Sequence, residues 1–466
     1  MLEMNLAGSV MIGRELEYQF LQQRELKSGA HMSVVYGAKG VGKMTLVQEF
    51  IRGKKVFYYS CRDCVDREQR FQLNRERTRG ISLSASKFPT WTEILNDISK
   101  EYSIVVLDEF QYLLKLDGTF LEELSAFAAT FSKEKKLYLI CMSSSVNWVE
   151  NAMARELRKK GAAYLLSGML KVNPLDYWQI ADAFPGFGAK DRVLLYSILG
   201  GIPGRWKALD PALSMQENLT RCFLDKQAPL ALAAISQLRD DLRELNVYQT
   251  ILTTIACGAY KLNDIYLQTE FSRAKISVYL KNLMQMQVIE KVFSVDTRGR
   301  EQVQKGIYRI SDPLIRFVYT FLFPNESMLR LMDADTFYQQ YIGPYLNAYA
   351  GETFALICRD YLAKQMKLGK LSLSNGEVGE WVGKNASLHV LIQDEEENAI
   401  GGFCNFDKAT VDKNDVEWVL YAAKEAKVFL QELWLFSAGS IEKECREVEF
   451  DGEIHFVTLP ELSLLD

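Results

Sequence analysis

Val34-Val35-Tyr36-Gly37-Ala38-Lys39-Gly40-Val41-Gly42-Lys43-Met44-Thr45-Leu46 reads as a short apolar strand, a glycine-rich loop and the first turn of a helix. Gly37, Gly42 and Lys43 fit the phosphate-cradling template G-x-x-x-x-G-K-[ST], with Gly40 as an extra glycine. Glycines let the backbone curl until successive N–H groups face one phosphate. The helix N-terminus adds the positive end of its dipole, and Lys43 adds a mobile cation. Gly37 through Thr45 is therefore the expected nucleotide site, with ATP as the ligand. Its last template position fails. Ser or Thr after the lysine would hold magnesium, but Met44 stands there, and a thioether is a poor ligand for a hard, oxygen-seeking cation. Thr45 is no simple replacement, because one helical step turns a side chain by about 100°.

Downstream, Ser103-Ile104-Val105-Val106-Leu107-Asp108-Glu109-Phe110 puts four apolar residues before two carboxylates. That pattern marks a buried parallel strand ending at a site. Beside a phosphate loop, Asp108 is expected to hold the magnesium shell and Glu109 to polarise an attacking water. Leu137 to Ser145 forms another such strand with hydroxyls at its end. They are read either as sensors of the terminal phosphate or as caps of the next helix. Lys55 to Ser60 and residues 163–170 supply further strands. Strands alternating with helices imply a parallel, helix-covered sheet. Pro89-Thr90-Trp91-Thr92-Glu93 predicts a capped helix start. Residues 62–80 are a mixed-charge run expected on an exposed helix or loop. Ahead of the loop, Ile12-Gly13-Arg14-Glu15 opens a helix expected to place Leu16, Phe20, Leu21 and Leu26 on one side.

The chain has 466 residues, which predicts two to four domains, and its 48% hydrophobic and 12% aromatic content is ample for several cores. A net charge of −5 argues against a nucleic-acid polycation. Lacking a long apolar run or a leader pattern, it is expected to be cytoplasmic, with no membrane segment. Most of the eight Cys sit among apolar neighbours and read as buried small hydrophobes. Cys61 and Cys64 form a lone C-x-x-C, read as a strand end with two free thiols.

Residues 175–240 read as helices, interrupted at Ile198-Leu199-Gly200-Gly201-Ile202-Pro203. A helix through Cys257, one near 261–268 and one from Ser272 to Met286 precede two strand-like runs, Val288 to Val295 and Lys305 to Ile310. Three helices and a hairpin make a winged helix-turn-helix. Lys261 to Ile310 carries nine Lys/Arg against five acids. Arg273, Lys275 and Lys281 fall on the recognition helix, and Arg298 and Arg300 on the turn between the strands. That permits weak DNA contact over residues 261–310. Winged helices also dock proteins, so both readings stay open. Beyond residue 330 a last α/β unit is expected, with strands Leu388–Gln393, Ala399–Phe406, Leu433–Phe436 and His455–Thr458 and a helix over 414–428. Leu391 to Asp466 carries 18 acids against six bases, a net −12 that repels phosphate backbones.

The order of these parts resembles the archaeal-type ATPase family of prokaryotes, relatives of the AAA and STAND NTPases. The residues that carry it are Ile12 to Glu15, the phosphate loop, Leu107-Asp108-Glu109-Phe110, Gly200-Gly201-Ile202-Pro203 and Tyr308 to Phe317. The resemblance implies an α/β multidomain chain. A P-loop ATPase core (1–172) would be followed by a helical lid (173–240), a winged helix (241–325) and a restriction-endonuclease-like domain (326–466). It also implies ATP and magnesium as cofactors. Three departures stand out. Met44 replaces Thr or Ser. An arginine expected shortly before Gly168 is missing from Leu165-Leu166-Ser167, though Arg155 and Arg158 lie nearby. The nuclease pattern Glu-Ile-Asp and Glu-Cys-Lys reads here Ser387-Leu388-His389 and Phe403-Cys404-Asn405. The expectation is an ATP-binding switch with a weakened magnesium site, weak or lost hydrolysis, an inert nuclease fold and a protein partner. The alternatives are an active ATPase coupled to DNA and a pure interaction scaffold.

Overall fold

The computed structural model describes residues 13–78, 89–114, 118–225, 228–239, 244–295 and 306–463. They separate into two compact units. One holds the residues up to Gln179 with Ile202–Gly204; the other holds Ile180–Gly201 and Arg205 onward.

The first unit is built on five strands: β1 (Gly29–Tyr36), β2 (Val56–Ser60), β3 (Ile104–Asp108), β4 (Lys136–Ser143) and β5 (Leu166–Lys171). They pair in parallel in the order β2-β3-β4-β1-β5. Alternate residues of each strand serve opposite faces, as the pleat requires. Met32, Val34, Val105, Leu107, Leu139 and Cys141 face one core with α4 (Trp91–Glu101) and α5 (Phe120–Thr130). Val35, Val106, Tyr138, Ile140 and Met142 face another, with Leu21 of α1 (Glu15–Glu25) and Leu46, Val47 and Phe50 of α2 (Lys43–Ile51). Covered on both faces, the central strands are mostly apolar, and the buried Ser33 of β1 is hydrogen-bonded to the Tyr138 hydroxyl of β4.

Thr90 caps α4 as expected: its hydroxyl accepts from the Glu93 N–H, and Glu93 accepts from the Thr90 N–H. The mixed-charge run after β2 is helical over Asp66–Arg77 (α3). One expectation for α1 fails. Only Leu21 is fully buried, whereas Leu16 and Leu26 are 78% and 73% exposed. Phe20, partly buried, lies under the Arg24 guanidinium.

In the second unit the helix Ala189–Leu199 stops at Gly200, which has φ +62° and sits where a Cβ would press on Pro313. Asp312 caps the helix Pro313–Phe317 through the N–H groups of Leu314 and Ile315. Its other oxygen accepts from Arg205 and Gln237, a buried charge satisfied on all sides. Helices Leu245–Ala256, Leu262–Thr269 and Arg273–Gln285 follow, then an antiparallel pair, β6 (Ile289–Val292) and β7 (Ile307–Ile310). Both strands are shorter than expected, and the turn carrying Arg298 and Arg300 lies outside the described residues.

The last part is a mixed sheet ordered β14-β12-β10-β9-β8. It is made of β8 (Glu377–Val382), β9 (Ser387–Gln393), β10 (Asn398–Asn405), β12 (Phe429–Ser437) and β14 (Glu453–Thr458). A small parallel pair, β11 (Thr410–Val411) and β13 (Ser440–Ile441), lies apart from it. The helix Lys413–Ala426 ends at Lys427, which is left-handed. The helix Leu346–Lys367 and strand β8 are two elements that the sequence reading did not name.

Candidate nucleotide site

The strand order brings three C-terminal ends together. β4 lies between β3 and β1, so Asp108 and Glu109, Ser143 and Ser144, and the loop after Tyr36 share one rim of the sheet. Ligands of open α/β sheets bind at such carboxyl ends.

The loop has the strained geometry that its glycines allow. Gly37, Gly40 and Gly42 all have positive φ, and a Cβ on Gly37 would sit 2.3 Å from the Val172 carbonyl oxygen. Its carbonyls are turned into the protein. Lys43 Nζ donates to Gly37 O at 2.7 Å and Ala38 O at 3.1 Å. Gly204 N donates to Gly40 O at 3.0 Å, and buried Arg14 donates to Val41 O at 3.3 Å and Asn173 O at 2.6 Å. The Gly13-Arg14 box thus works as a brace beneath the loop. The amides of Lys39, Gly40, Gly42 and Lys43 donate to no protein acceptor among the described residues. A loop with its carbonyls tied back and its N–H groups free fits a phosphate.

Lys43 is buried, which pulls its pKa down, while Glu109 and Asp108 push it up; burial wins. Burial and the neighbouring Glu109 carboxylate raise the pKa of Asp108. One Asp108 oxygen accepts from the Glu109 N–H at 3.0 Å and the other from the Tyr58 hydroxyl at 3.2 Å. Tyr58 is itself pushed up to about 12 by burial and by Asp108. Glu109 sits in the left-handed region at φ +50°, a conformation that costs a non-glycine residue about 1–3 kcal/mol. Burial raises the Glu109 pKa, but donors from Gln111 and Ser144 overcome it and hold the carboxyl below its usual range.

Met44 turns away from this constellation. It is half-buried against the core formed by Leu21, Val35, Leu46 and Val47. Asp108 is thus a carboxylate placed for a cation, but the hydroxyl ligand that would complete the template is absent. The free amides fit a phosphate chain; of the template's two cation-facing groups, the carboxylate is present at Asp108 and the hydroxyl after Lys43 is not.

The hydroxyls at the end of β4 have definite partners. Ser144 N and Oγ both donate to Glu109, and Ser143 Oγ donates to Gln111. Ser145 flanks the next helix without a side-chain cap. Gln111 and Tyr58 were missed in the sequence. Gln111 lies two residues past Glu109, and Tyr58 lies opposite Val106 on the neighbouring strand. All eight cysteines are free and six are buried; Cys257 is the exposed one. Cys61 lies at the end of β2, donating its N–H to Asp108 O at 2.9 Å, with its thiol pushed upward by burial.

Elsewhere, Arg273, Lys275 and Lys281 are exposed on their helix, which bears no acid. Arg309, counted with them in the basic surplus, is committed to Glu352 at 2.9 Å and Glu380 at 2.8 Å. In the last sheet, His389 Nδ1 accepts from the Cys404 N–H at 3.1 Å and its ring stacks on Phe403.

Residues 11–209 match the family model of an ATPase domain predominantly from Archaea. Residues 318–417 match that of archaeal and bacterial proteins of unknown function. An uncharacterised protein of Methanocaldococcus jannaschii is 23% identical over 405 residues, which is 84% of this chain and 86% of that one. A Walker-type ATPase of Pyrococcus abyssi is 19% identical, with 66% of this chain and 96% of that chain covered and a TM-score of 0.48. A STAND protein with a tetratricopeptide repeat sensor from Pyrococcus horikoshii is 14% identical, with 77% of this chain and 51% of that chain covered and a TM-score of 0.29. The chain therefore spans about half of that protein's length. No helix among the described residues is long and apolar enough to cross a membrane.

Proposed function

Because residues 11–209 belong to the ATPase family found predominantly in Archaea and residues 318–417 to a domain family of unknown function, we propose that this chain is an ATP-binding switch with weak magnesium-dependent turnover. Nucleotide phosphates would be held by the free amides of Lys39, Gly40, Gly42 and Lys43 and by the Lys43 ammonium. Asp108 would face magnesium, which when bound draws negative charge from the phosphates. Glu109 is the group that can accept a proton from water. The observation that carries the reading is the contrast between two adjacent side chains. Lys43 stays in the loop beside Asp108 and Glu109, while Met44 joins the core and brings no oxygen. Binding is thereby retained and turnover weakened. The last sheet is read as a nuclease-like fold without its chemistry, kept for a protein partner. The test is ATP titration with and without magnesium, alongside a hydrolysis assay. Tight, magnesium-tolerant binding with slow turnover supports the reading. No binding would leave a scaffold instead.

A second reading is favoured by the helix Arg273–Gln285. Its exposed face carries three cations with no acid, so a winged helix here would meet DNA phosphates.

A further inference from the structure

Glu109 Oε2 is held by three donors. Gln111 Nε2 reaches it at 2.7 Å, Ser144 Oγ at 2.7 Å and the Ser144 N–H at 3.0 Å. Gln111 is buried in the short 3₁₀ turn Phe110–Leu114 that follows Glu109. Its other end accepts from Ser143 Oγ at 2.7 Å, and Ser143 Oγ in turn accepts from the Ser145 N–H at 3.1 Å. This chain admits one orientation of the Gln111 amide. The flipped amide would set its oxygen against the Glu109 carboxylate, two acceptors facing each other. Glu109 Oε1 has no protein partner among the described residues. One oxygen of the carboxylate is therefore anchored and the other is open to accept a proton.

We propose that Gln111 is a positioning residue. By bridging Ser143 at the end of β4 to Glu109 Oε2, it fixes which Glu109 oxygen serves as base. This rests on the reading of Glu109 as the base of a nucleotide site. Without the bridge the carboxylate is free to turn, and a group that must meet one water in one geometry is aligned less of the time.

The experiment compares Gln111→Ala and Ser143→Ala with the natural chain, repeats each in a Met44→Thr background, and uses thermal melts to show that each variant is folded. ATP affinity should stay within about threefold, because Gln111 hydrogen-bonds Glu109 and Ser143 rather than the loop. Single-turnover hydrolysis should fall at least about tenfold, in the range typical of general-base effects. In a Glu109→Gln background Gln111→Ala should cost no further rate, because the two residues act as one unit. No loss of rate, a loss explained by weaker ATP binding, or the same fold-loss in both backgrounds overturns the proposal. Failure of the natural chain to bind ATP overturns the nucleotide reading instead.

Discussion

Ser144 donates to Glu109 twice, from its backbone N–H at 3.0 Å and its hydroxyl at 2.7 Å, and so ties the end of β4 to the carboxylate that follows β3. With this restraint the Glu109 pKa stays low despite burial. A carboxyl whose folded pKa lies below its unfolded value adds stability above the unfolded value, about 4.3, and loses it as pH falls through the folded one. Ser144→Ala should therefore destabilise the protein at neutral pH and flatten the acid-side decline. A pH series of thermal melts checks this; an unchanged acid limb contradicts it.

Asp108 carries the opposite sign. Burial and Glu109 raise its pKa, so its ionised form costs the folded protein stability at neutral pH. Asp108→Asn should raise Tm in the absence of nucleotide, because it keeps an acceptor for the Tyr58 hydroxyl while removing a half-buried charge. The same variant should lose whatever effect magnesium has on ATP binding. A lower Tm at neutral pH would show that the carboxylate is better compensated than its partners suggest.

Lys43→Ala should weaken ATP binding tenfold or more, since a charge-assisted contact contributes about 1.5–3 kcal/mol. The change also removes the donor that ties back the Gly37 and Ala38 carbonyls, so the loop itself should loosen. Isothermal titration with the folded variant measures the first effect, and amide exchange at residues 37–42 the second. Unaltered affinity would place the nucleotide elsewhere.

Met44→Thr should speed hydrolysis and strengthen its magnesium dependence, because a hydroxyl ligand returns beside Asp108. It should also cost about 1–2 kcal/mol of stability, since Met44 packs against Leu21, Val35 and Leu46 and threonine leaves part of that space unfilled. Faster turnover with a lower Tm is the expected pair of results. Brisk turnover by the natural chain, abolished by Glu109→Gln, would show that the thioether is tolerated.

What the sequence made legible follows from chemistry that acts along the chain. A phosphate loop needs glycines at fixed spacing, and a buried parallel strand must be apolar up to its functional end. Hence Gly37 to Lys43 and Ile104 to Glu109 could be read directly. What escaped depends on contacts across the chain. Tyr58 meets Asp108 because β2 and β3 are neighbours, and Gln111 meets Ser143 because β3 lies beside β4. Helical spacing alone could not tell that Leu16 faces outward while Leu21 is buried. A count of charges could not foresee that Arg309 would be taken up by Glu352 and Glu380.

That loss of Arg309 sharpens the DNA question. With Arg309 paired internally, the exposed cations on the helix Arg273–Gln285 are Arg273, Lys275 and Lys281. Arg273 lies over Tyr266 and donates to Asn263, while Lys275 lies over Phe271. Few phosphate contacts mean weak binding, with a salt slope of about −0.9 per contact. Replacing all three by Ala should lower the salt slope by about one per residue. Fluorescence anisotropy with duplex DNA at several salt concentrations reads this out. Binding indifferent to salt and to these residues would point to another surface.

The C-terminal sheet should not cut nucleic acid. Nuclease chemistry on such a sheet needs carboxylates that gather magnesium near the scissile phosphate, because the attacking and leaving oxygens are both anionic. Here the corresponding side chains have structural work instead. His389 accepts the Cys404 N–H on the paired strand, and its ring lies against Phe403 at 5.4 Å between centroids. Asn405 accepts the Lys408 N–H and donates to Lys408 O and Ser437 Oγ, which closes the turn after β10. Asp394, the first of the four acids that follow β9, accepts from the backbone N–H groups of Glu396 and Asn398 and so holds a tight turn. The net −12 over residues 391–466 further disfavours approach of a phosphate backbone. Incubation with single- and double-stranded DNA and RNA, with magnesium or manganese, should leave the substrates intact. Cleavage that co-purifies with the full chain and is lost in a Glu380→Gln, His389→Ala double variant would contradict this. It would place the chemistry on the buried Glu380, which in this structure is paired with Arg309 and Arg359.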